Sequence, residues 1–466
     1  MPMPAEPLDG GDLDLSQPRR VHVVGVGGAG MSAIATVLAA MGHQVTGSDL
    51  KASVVTERLG NQRITVSIGH RPENLGDAEF VTYSPAVSAT NPELIEAQRR
   101  GVTVVRRAEV LAAIALTKRC IAVAGTHGKT TTSSMLSLIL AEAGLRPSFL
   151  IGADVNEIGT NAAFDEGEWL VVEADESYGT FRALRCEIAL LTNCEPDHLD
   201  YYGTFEVLRQ AFGHYLEGST AASVVGADEP VAAELGRHHG SLLVGTASDA
   251  DYPMTDVVLS RSAVAFDLSG PDGLLGRLSV PMPGLYNARN AALATVGALC
   301  AGATFGAART ALARFAGVPR RFEFRGEANG VSFVDDYAHL PGEVRSVLAA
   351  ARAGEWARVV AVFQPHRYSR TAALVEDFAT AFVDADVVVI TDVYGAGDTP
   401  VPGVSGKLVA DAAAAASPSV PVHYAATRDD LREVVASVLR PGDLCLTLGA
   451  GDLTLLPDDL LAAPRW

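Results

Sequence analysis

The apolar run Val21–Val24 leads into a glycine cluster, then into the apolar stretch Met31–Met41, which has helical character. A second short strand at Gln44–Thr46 and an acidic residue, Asp49, come next. This strand–loop–helix–strand rhythm continues to about residue 115 and predicts a parallel α/β sheet. A new unit starts at Arg119. Cys120–Ala124 reads as a buried strand, followed by a glycine-rich polar loop and a helix with Met135 and Ile139 on its apolar side, ending near Gly144. Further apolar runs at Trp169–Val172 and Ile188–Thr192 are bounded by polar residues, whereas 245–280 alternates more and is interrupted by Asp and Gly, an antiparallel pattern. A third unit begins near Pro319. Its strand-like runs Val331–Val334, Val359–Phe363, Val387–Thr391 and Leu444–Leu448 are separated by helical stretches such as 341–352 and 371–383, again a doubly wound pattern. No repeat of 20–50 residues is present.

A chain of 466 residues exceeds what one core organises, since cores stop growing near about 250–300 residues. The pattern divides it into an arm (1–19) and three α/β domains at 20–117, 118–318 and 319–466. A hydrophobic fraction of 48% with 20% charged residues describes a globular enzyme. The net charge of −19 opposes general nucleic-acid or anionic-membrane binding, although loops and helix N-termini still bind phosphate in an acidic protein. The five cysteines, Cys120, Cys186, Cys194, Cys300 and Cys445, form no CxxC pair and are odd in number, so isolated thiols in a reducing compartment are expected. The first residues are acidic and rich in Pro and Gly, without the basic and apolar regions of a signal peptide, so a loose arm is expected. No uncharged apolar run reaches the ~18 residues of a membrane span. A cytoplasmic monomer or homodimer, without nucleic-acid or membrane partner, is expected.

Two glycine loops carry the first chemical signals. Gly25-Val26-Gly27-Gly28-Ala29-Gly30 satisfies G-x-G-x-x-G between a strand and a helix, with Asp49 beyond it. Its physical content is close backbone approach to a diphosphate at a helix N-terminus. A nicotinamide or flavin dinucleotide and a UDP-sugar meet that requirement equally well, and a purely structural turn is the third reading. The second loop, Gly125-Thr126-His127-Gly128-Lys129-Thr130-Thr131, lacks the leading glycine of a full Walker A motif, since Val123 stands there. It keeps the parts that matter: backbone N–H groups turned onto phosphate, Lys129 for the β/γ-phosphates, and Thr130 for Mg²⁺.

Mg²⁺ on phosphate requires hard oxygen ligands. Glu173 follows the apolar run Leu170–Val172, at a strand end where ligands of open α/β sheets collect, with Asp175 and Glu176 next in the chain. His198 lies in a polar segment after another apolar run and either ligates metal or caps a turn. Tyr337, His339, His366, Arg367 and Arg370 follow strand-like runs in the third unit. Forked guanidinium donors and neutral imidazoles suit a small zwitterion, although each residue alone is more often a packing or surface residue.

The ordered set GVGGAGMS, GSD, RAEVL, GTHGKTTT, EADES, NxxxDHLDxYG, PGxxNxxN, RRFE, DDYAH, FQPHRYSRT and GAGDL resembles the Mur ligase family, from about residue 20 to 455. The resemblance implies a Rossmann-like UDP-binding domain, a central P-loop ATPase-type domain with a mixed sheet, and a C-terminal Rossmann-like domain that receives an amino acid. It implies ATP-dependent joining of L-alanine to UDP-N-acetylmuramate through an acyl phosphate. Gly27, Gly28, Ala29, Gly30, Asp49, His70, Ser84 and Arg107 would serve the UDP-sugar. The loop Gly125–Thr131, with Asn287, Asn290, Arg321 and Asp336, would bind ATP. Thr130, Glu173 and His198 would hold Mg²⁺, while Tyr337, His339, His366, Arg367 and Arg370 would surround the amino acid. Lys129, Glu173, His198, Arg321 and His339 would stand nearest the chemistry.

The chain departs from the family pattern at Tyr178 (usually Asp), Tyr286 (usually His), Leu340 (usually His) and Gly342 (usually Thr). Alternatives are a ligase that recycles murein tripeptide onto the same nucleotide sugar, an NAD-dependent dehydrogenase built on the first glycine loop, and a non-catalytic nucleotide-binding regulator.

Overall fold

Three sheets carry the chain in the computed structural model, which describes residues 13–84 and 86–462. The first consists of β1 (Arg20–Val24), β2 (Gln44–Asp49), β3 (Thr65–Ile68), β4 (Phe80–Tyr83) and β5 (Thr103–Arg106), in the order β3-β2-β1-β4-β5. All its pairings are parallel. The strand order reverses between β1 and β4, and a crevice for ligands opens at such a switch point beyond the strand C-termini. Both the glycine loop after β1 and Ser84 after β4 lie there, and the Ser84 N–H donates to the Val24 carbonyl at 3.1 Å.

The second sheet has ten strands: β6 (Arg119–Ala124), β7 (Ser148–Val155), β8 (Thr160–Ala163), β9 (Trp169–Glu173), β10 (Ile188–Leu191), β11 (Ala222–Gly226), β12 (Leu242–Gly245), β13 (Tyr252–Leu259), β14 (Val264–Gly270) and β15 (Gly273–Val280). Their order is β15-β14-β13-β12-β11-β10-β6-β9-β7-β8. β6 lies between β9 and β10, in parallel register that pairs Val123 with Glu173 and Ala124 with Leu191. The loops after these three strands therefore emerge side by side. Only part of the antiparallel expectation for 245–280 holds. β13 joins β12 in parallel, while the connections at 260–263 and 271–272 are too short for a crossover and make β13–β15 an antiparallel meander.

The third sheet contains β16 (Glu323–Ala328), β17 (Val331–Asp336), β18 (Arg358–Phe363), β19 (Val387–Thr391), β20 (Val422–Ala425) and β21 (Asp443–Leu448), in the order β16-β17-β21-β18-β19-β20. It is parallel except for the β16–β17 pair. Val359, Ala361 and Phe363 belong to one apolar cluster, and Val360 and Val362 to another. That is the period-2 signature of a strand buried on both faces.

The chain forms two compact units. One holds the sequence up to Thr255 with Asp267–Leu278 and Arg289–Phe315; the other holds Asp256–Phe266, Ser279–Ala288 and the sequence from Ala316. In the first unit Phe181 is fully buried, its ring 5.3 Å from Phe212 and 5.6 Å from Tyr215. The Tyr215 hydroxyl donates to the Ala122 carbonyl at 2.7 Å. These contacts seat the acidic segment that follows β9 against the strand that precedes the phosphate-type loop.

Two expectations change. Residues 1–12 lie outside the described residues, but the rest of the expected loose arm packs down: Leu15 is buried in the core and the Arg19 N–H donates to His43 Nδ1 at 3.1 Å. The helix expected at 371–383 spans Tyr368–Ala379 because Arg367 already occupies its N-cap. Cys120, Cys186, Cys194 and Cys445 are buried and Cys300 is half-buried, all as free thiols. Burial pushes Cys186 and Cys445 up to about 12. No helix among the described residues is long and apolar enough to cross a membrane.

Truncating Phe181 to Ala removes the ring that seats the acidic segment. A loss of about 3–5 kcal/mol is expected, read as a lower urea midpoint for the first unit. An unchanged midpoint would show that the segment is held by other contacts.

Candidate active site

The phosphate-type loop is shaped by the segments beside it. The helix Lys129–Glu142 starts directly after Gly128, whose φ of +80° is left-handed; a Cβ there would meet Asn290 Oδ1 at 2.5 Å. Asn193 Oδ1 accepts from the His127 N–H at 2.9 Å. Thr126 Oγ1 donates to the Glu195 carbonyl and accepts from the Glu195 N–H at 2.9 Å. The His127 ring lies 3.2 Å from Glu195 Oε2. Residues 193–195, at the end of β10, thus hold a helix N-terminus whose dipole and N–H groups suit an anion.

Lys129 is nearly buried and its Nζ donates to both oxygens of Glu176, at 2.7 and 3.0 Å, and to the Gly125 carbonyl at 2.6 Å. Burial alone would lower its pKa, but Glu176, Asp175 and Glu173 outweigh that and hold it above the usual lysine value. Burial, reinforced by Asp175 and opposed by Lys129, pushes Glu176 up to about 7. Glu176 is the partner that the sequence reading noticed but left out of the site; its signal was its place in the EADES segment after β9.

Thr130 Oγ1 donates to Glu173 Oε1 at 3.0 Å, so two of the expected Mg²⁺ ligands meet directly. His198 falls in a neighbouring cluster with Asp175 and Glu176, whose ligand atoms lie within 4.8 Å of one another. Its Nε2 is 3.2 Å from Ser177 Oγ and 3.4 Å from Asp197 Oδ2. The hard oxygens of Thr130, Glu173, Asp175 and Glu176 beside a phosphate-type loop fit a magnesium ion; the His198 imidazole is a softer neighbour.

At the first sheet, Asp49 Oδ2 accepts from the Gly27 N–H at 2.8 Å, so this acid helps hold the glycine loop itself. Gly28 is the N-cap of the helix Ala29–Ala40. A Cβ at Gly30 would come within 2.9 Å of Arg107, so the missing side chain admits the guanidinium. Arg107 Nε is buried without a hydrogen-bond partner, and the side chain lines a cavity of about 190 Å³ with Gly30, Gly152, Glu173 and Asp175. The first glycine loop and the acidic segment after β9 therefore open onto one cavity.

His70 Nδ1 lies 3.1 Å from Ser48 Oγ and 3.3 Å from Glu93 Oε2. Glu93, which the sequence reading missed, is fully buried and also binds Ser48 Oγ at 2.6 Å and Asn74 Nδ2 at 2.6 Å, with His22 Nε2 at 3.6 Å. Burial by itself would raise its pKa, but the adjacent His22 ring and the hydrogen bonds with Ser48 and Asn74 bring it down to about 2.

The second unit gathers the remaining residues. Both oxygens of Asp336 accept backbone N–H groups, from Phe322 at 2.7 Å and Ala338 at 2.8 Å. This buried carboxylate, expected at a ribose, holds the turn that contains Arg321. Burial, opposed by Arg321, pushes it up to about 6. Asn287 donates to the Pro283 carbonyl at 2.7 Å and leaves a buried Oδ1 without a partner. Asn290 lies three residues further along the same helix, Leu285–Cys300. Tyr286 is deeply placed and its phenol is held above its usual pKa by burial and by Asp336. Leu340 is buried as the N-cap of the helix Pro341–Arg352.

Arg321 Cζ lies 5.1 Å from the Tyr337 ring centroid. Tyr337, His339, His366 and Tyr394 form a run of ring contacts at 5.4, 5.4 and 5.9 Å, the last stacked. Arg370 Nη1 sits 3.1 Å from His366 Nδ1. Arg367 adopts φ +65°, unusual for a non-glycine residue, and its N–H donates to the Tyr394 carbonyl at 2.8 Å. Tyr394 had no sequence signal, because its contact depends on the pairing of two loops.

Family models match across the chain: the Mur ligase catalytic domain at residues 20–119, the Mur ligase middle domain at 123–298 and the Mur ligase glutamate ligase domain at 320–451. UDP-N-acetylmuramate–L-alanine ligase of Pelotomaculum thermopropionicum is 43% identical over 94% of this chain and 96% of its own. The crystal structure of UDP-N-acetylmuramate-alanine ligase from Thermotoga maritima superposes with a TM-score of 0.80 at 27% identity, covering 95% of this chain and 98% of that one. A murein peptide ligase from Psychrobacter arcticus gives 0.68 at 25% identity, with the same coverage.

Gly128→Ala would place a Cβ against Asn290 in a backbone conformation that alanine resists. Loss of detectable ATP binding by calorimetry is expected; wild-type affinity would remove this loop from the nucleotide site. For Glu93, a lowered folded pKa means that its stabilisation is complete above the free value of 4.5 and is lost as pH falls towards about 2. Glu93→Gln should cost about 1–3 kcal/mol at neutral pH. The gap to wild type should narrow as pH falls through that window in urea melts, and a pH-independent gap would refute the charged hub.

Proposed function

The chain belongs to the Mur ligase family, and from that premise we propose that it joins L-alanine to the lactyl carboxylate of UDP-N-acetylmuramate at the expense of ATP. The observation that carries this reading within the molecule is the shared cavity, where the first glycine loop with Arg107 meets Glu173 and Asp175. A dehydrogenase has no use for a second phosphate-type loop whose Lys129 and Thr130 bind the acids of the segment that lines this cavity. The product is UDP-N-acetylmuramoyl-L-alanine, made in the cytoplasm as an early intermediate of peptidoglycan synthesis.

A carboxylate does not react with amines at neutral pH, so ATP must supply a leaving group. The lactyl carboxylate attacks the γ-phosphorus, giving an acyl phosphate and ADP; the alanine amine then displaces phosphate. Catalysis of the first step is positioning and charge neutralisation. Lys129, at the N-terminus of the helix Lys129–Glu142, faces the β/γ-phosphates once they displace Glu176, and Arg321 approaches the γ-phosphate. The unpartnered Oδ1 of Asn287 suits the adenine amino group, with Asn290 beside the loop. Thr130, Glu173 and His198 would hold magnesium, which supplies further neutralisation of phosphate charge.

Gly27, Gly28, Ala29 and Gly30 approach the UDP diphosphate, with Asp49, His70, Ser84 and Arg107 around the nucleotide sugar. Arg367 and Arg370 take the alanine carboxylate, and Tyr337, His339 and His366 surround its amine. Excluding water protects the acyl phosphate until the amine arrives.

Phosphate release is measured with Mg-ATP and UDP-N-acetylmuramate against a panel of amino acids and murein tripeptide. L-alanine dependence is the expected result; release with tripeptide alone would assign the chain to recycling instead. Lys129→Ala should abolish product while leaving UDP-sugar binding intact, and near-wild-type turnover would overturn the loop's role.

A further inference from the structure

Two imidazoles stand side by side in the second unit, and their Nδ1 partners are of opposite kinds. His339 Nδ1 lies 3.1 Å from the Tyr337 carbonyl and 3.2 Å from Glu343 Oε2. A carbonyl and a carboxylate only accept, so a His339 proton sits on Nδ1, and in the neutral ring the lone pair is on Nε2. His366 Nδ1 lies 3.1 Å from Arg370 Nη1. A guanidinium only donates, so His366 carries its lone pair on Nδ1 and its proton on Nε2. The rings are 5.4 Å apart.

Glu343 is fixed in place. Its Oε2 accepts the backbone N–H groups of His339 at 2.9 Å and Leu340 at 3.1 Å, capping the helix Pro341–Arg352, and its Oε1 is 3.8 Å from Arg321 Nη1. The side chains of His339 and Glu343 are 13% and 9% exposed, enough to shield their contact from water. Glu343 and Arg321 face the His339 side, and Arg370 faces the His366 side. A carboxylate on Nδ1 stabilises an imidazolium, and a guanidinium on Nδ1 opposes one.

We infer that His339 is the general base that deprotonates the incoming amino acid, that Glu343 is its positioning residue, and that His366 serves as a neutral N–H donor. This rests on the ligase reading above. His339 Nε2 takes one proton from the alanine ammonium and becomes an imidazolium held by Glu343. The freed nitrogen lone pair forms the bond to the acyl carbon, and the carbonyl π pair moves onto oxygen. As the carbonyl re-forms, the carbon–oxygen bond to phosphate breaks and its electron pair leaves with phosphate. The second nitrogen proton passes to the departing phosphate, leaving an amide with one N–H, and His339 returns its proton to solvent.

The test uses the full chain with Mg-ATP, UDP-N-acetylmuramate and L-alanine, with acyl phosphate trapped as its hydroxamate by added hydroxylamine. His339→Ala should lower amide formation by at least about 10²-fold while trapped hydroxamate stays near the wild-type level. Loss of both products, or retention of amide formation, would overturn the assignment. Glu343→Gln keeps a capping oxygen but removes the charge that stabilises the imidazolium, so the acid limb of the kcat/KM profile for L-alanine should move to lower pH. His366→Gln should lower kcat without moving that limb. A limb that moves in His366→Gln but not in Glu343→Gln would reverse the two roles. Wild-type protein without L-alanine-dependent turnover would instead refute the ligase reading, before either histidine is in question.

Discussion

A buried ammonium cannot stand alone in a protein interior, and the centre of the first unit is arranged around that constraint. Lys129, proposed above to meet phosphate, sits in a nearly dry position, and the fold surrounds it with Glu176 in direct contact and with Asp175 and Glu173 close enough to raise its pKa. These acids can be there because β9 is the parallel neighbour of β6, in a register that places Glu173 beside Val123, two residues before the loop begins. On the proposed reading, a phosphate arriving at the loop competes with Glu176 for the same nitrogen. Binding is therefore an exchange of anions, and the carboxylate raised to about 7 is the one that has to yield.

Sheet topology does the rest of the gathering. β6 sits between β9 and β10, so the loop, the acidic segment and the 193–195 clamp emerge at one edge although they are separated by dozens of residues in sequence. In the first sheet the reversal of strand order at β1 and β4 opens the crevice to which the glycine loop and Ser84 belong. The second unit repeats the device: the 335–339 and 364–370 segments follow β17 and β18, which flank β21. Opposite hydrogen-bonding partners at two neighbouring imidazoles then separate what otherwise look like equivalent groups.

Much of this was legible in the sequence wherever a strongly apolar run ended in a polar cluster. β6, β9, β10, β17, β18, β19 and β21 were all visible as such runs because they are buried on both faces. β8, with sequence TNAA, and β16, with sequence EFRGEA, carry no such pattern; pairing with β7 and β17 makes them strands. The start of the helix at Tyr368 was hidden because Arg367, next to the His366–Tyr394 bridge, has a left-handed backbone angle that its residue type does not signal. Glu93 reads as one more helical acid, and only its burial against His22, Ser48 and Asn74 shows otherwise. Asp336 is a conspicuous acid at a strand end, but its bonds to the Phe322 and Ala338 N–H groups had no sequence signal.

The distribution of thiols has a practical side. Four of the five cysteines are buried, and burial keeps their sulfurs protonated. Protonated, enclosed thiols are poor nucleophiles towards alkylating reagents. Cys300, at the end of the helix Leu285–Cys300, is the one that is partly open. Burial raises the pKa of the Cys300 thiol as well, so a maleimide-linked fluorophore or spin label attaches there ahead of the other four at raised pH, outside the segments that form the phosphate-type loop and its acids. Spectroscopic reporting on this protein can begin from the unmodified sequence, without first stripping out the other four sulfurs.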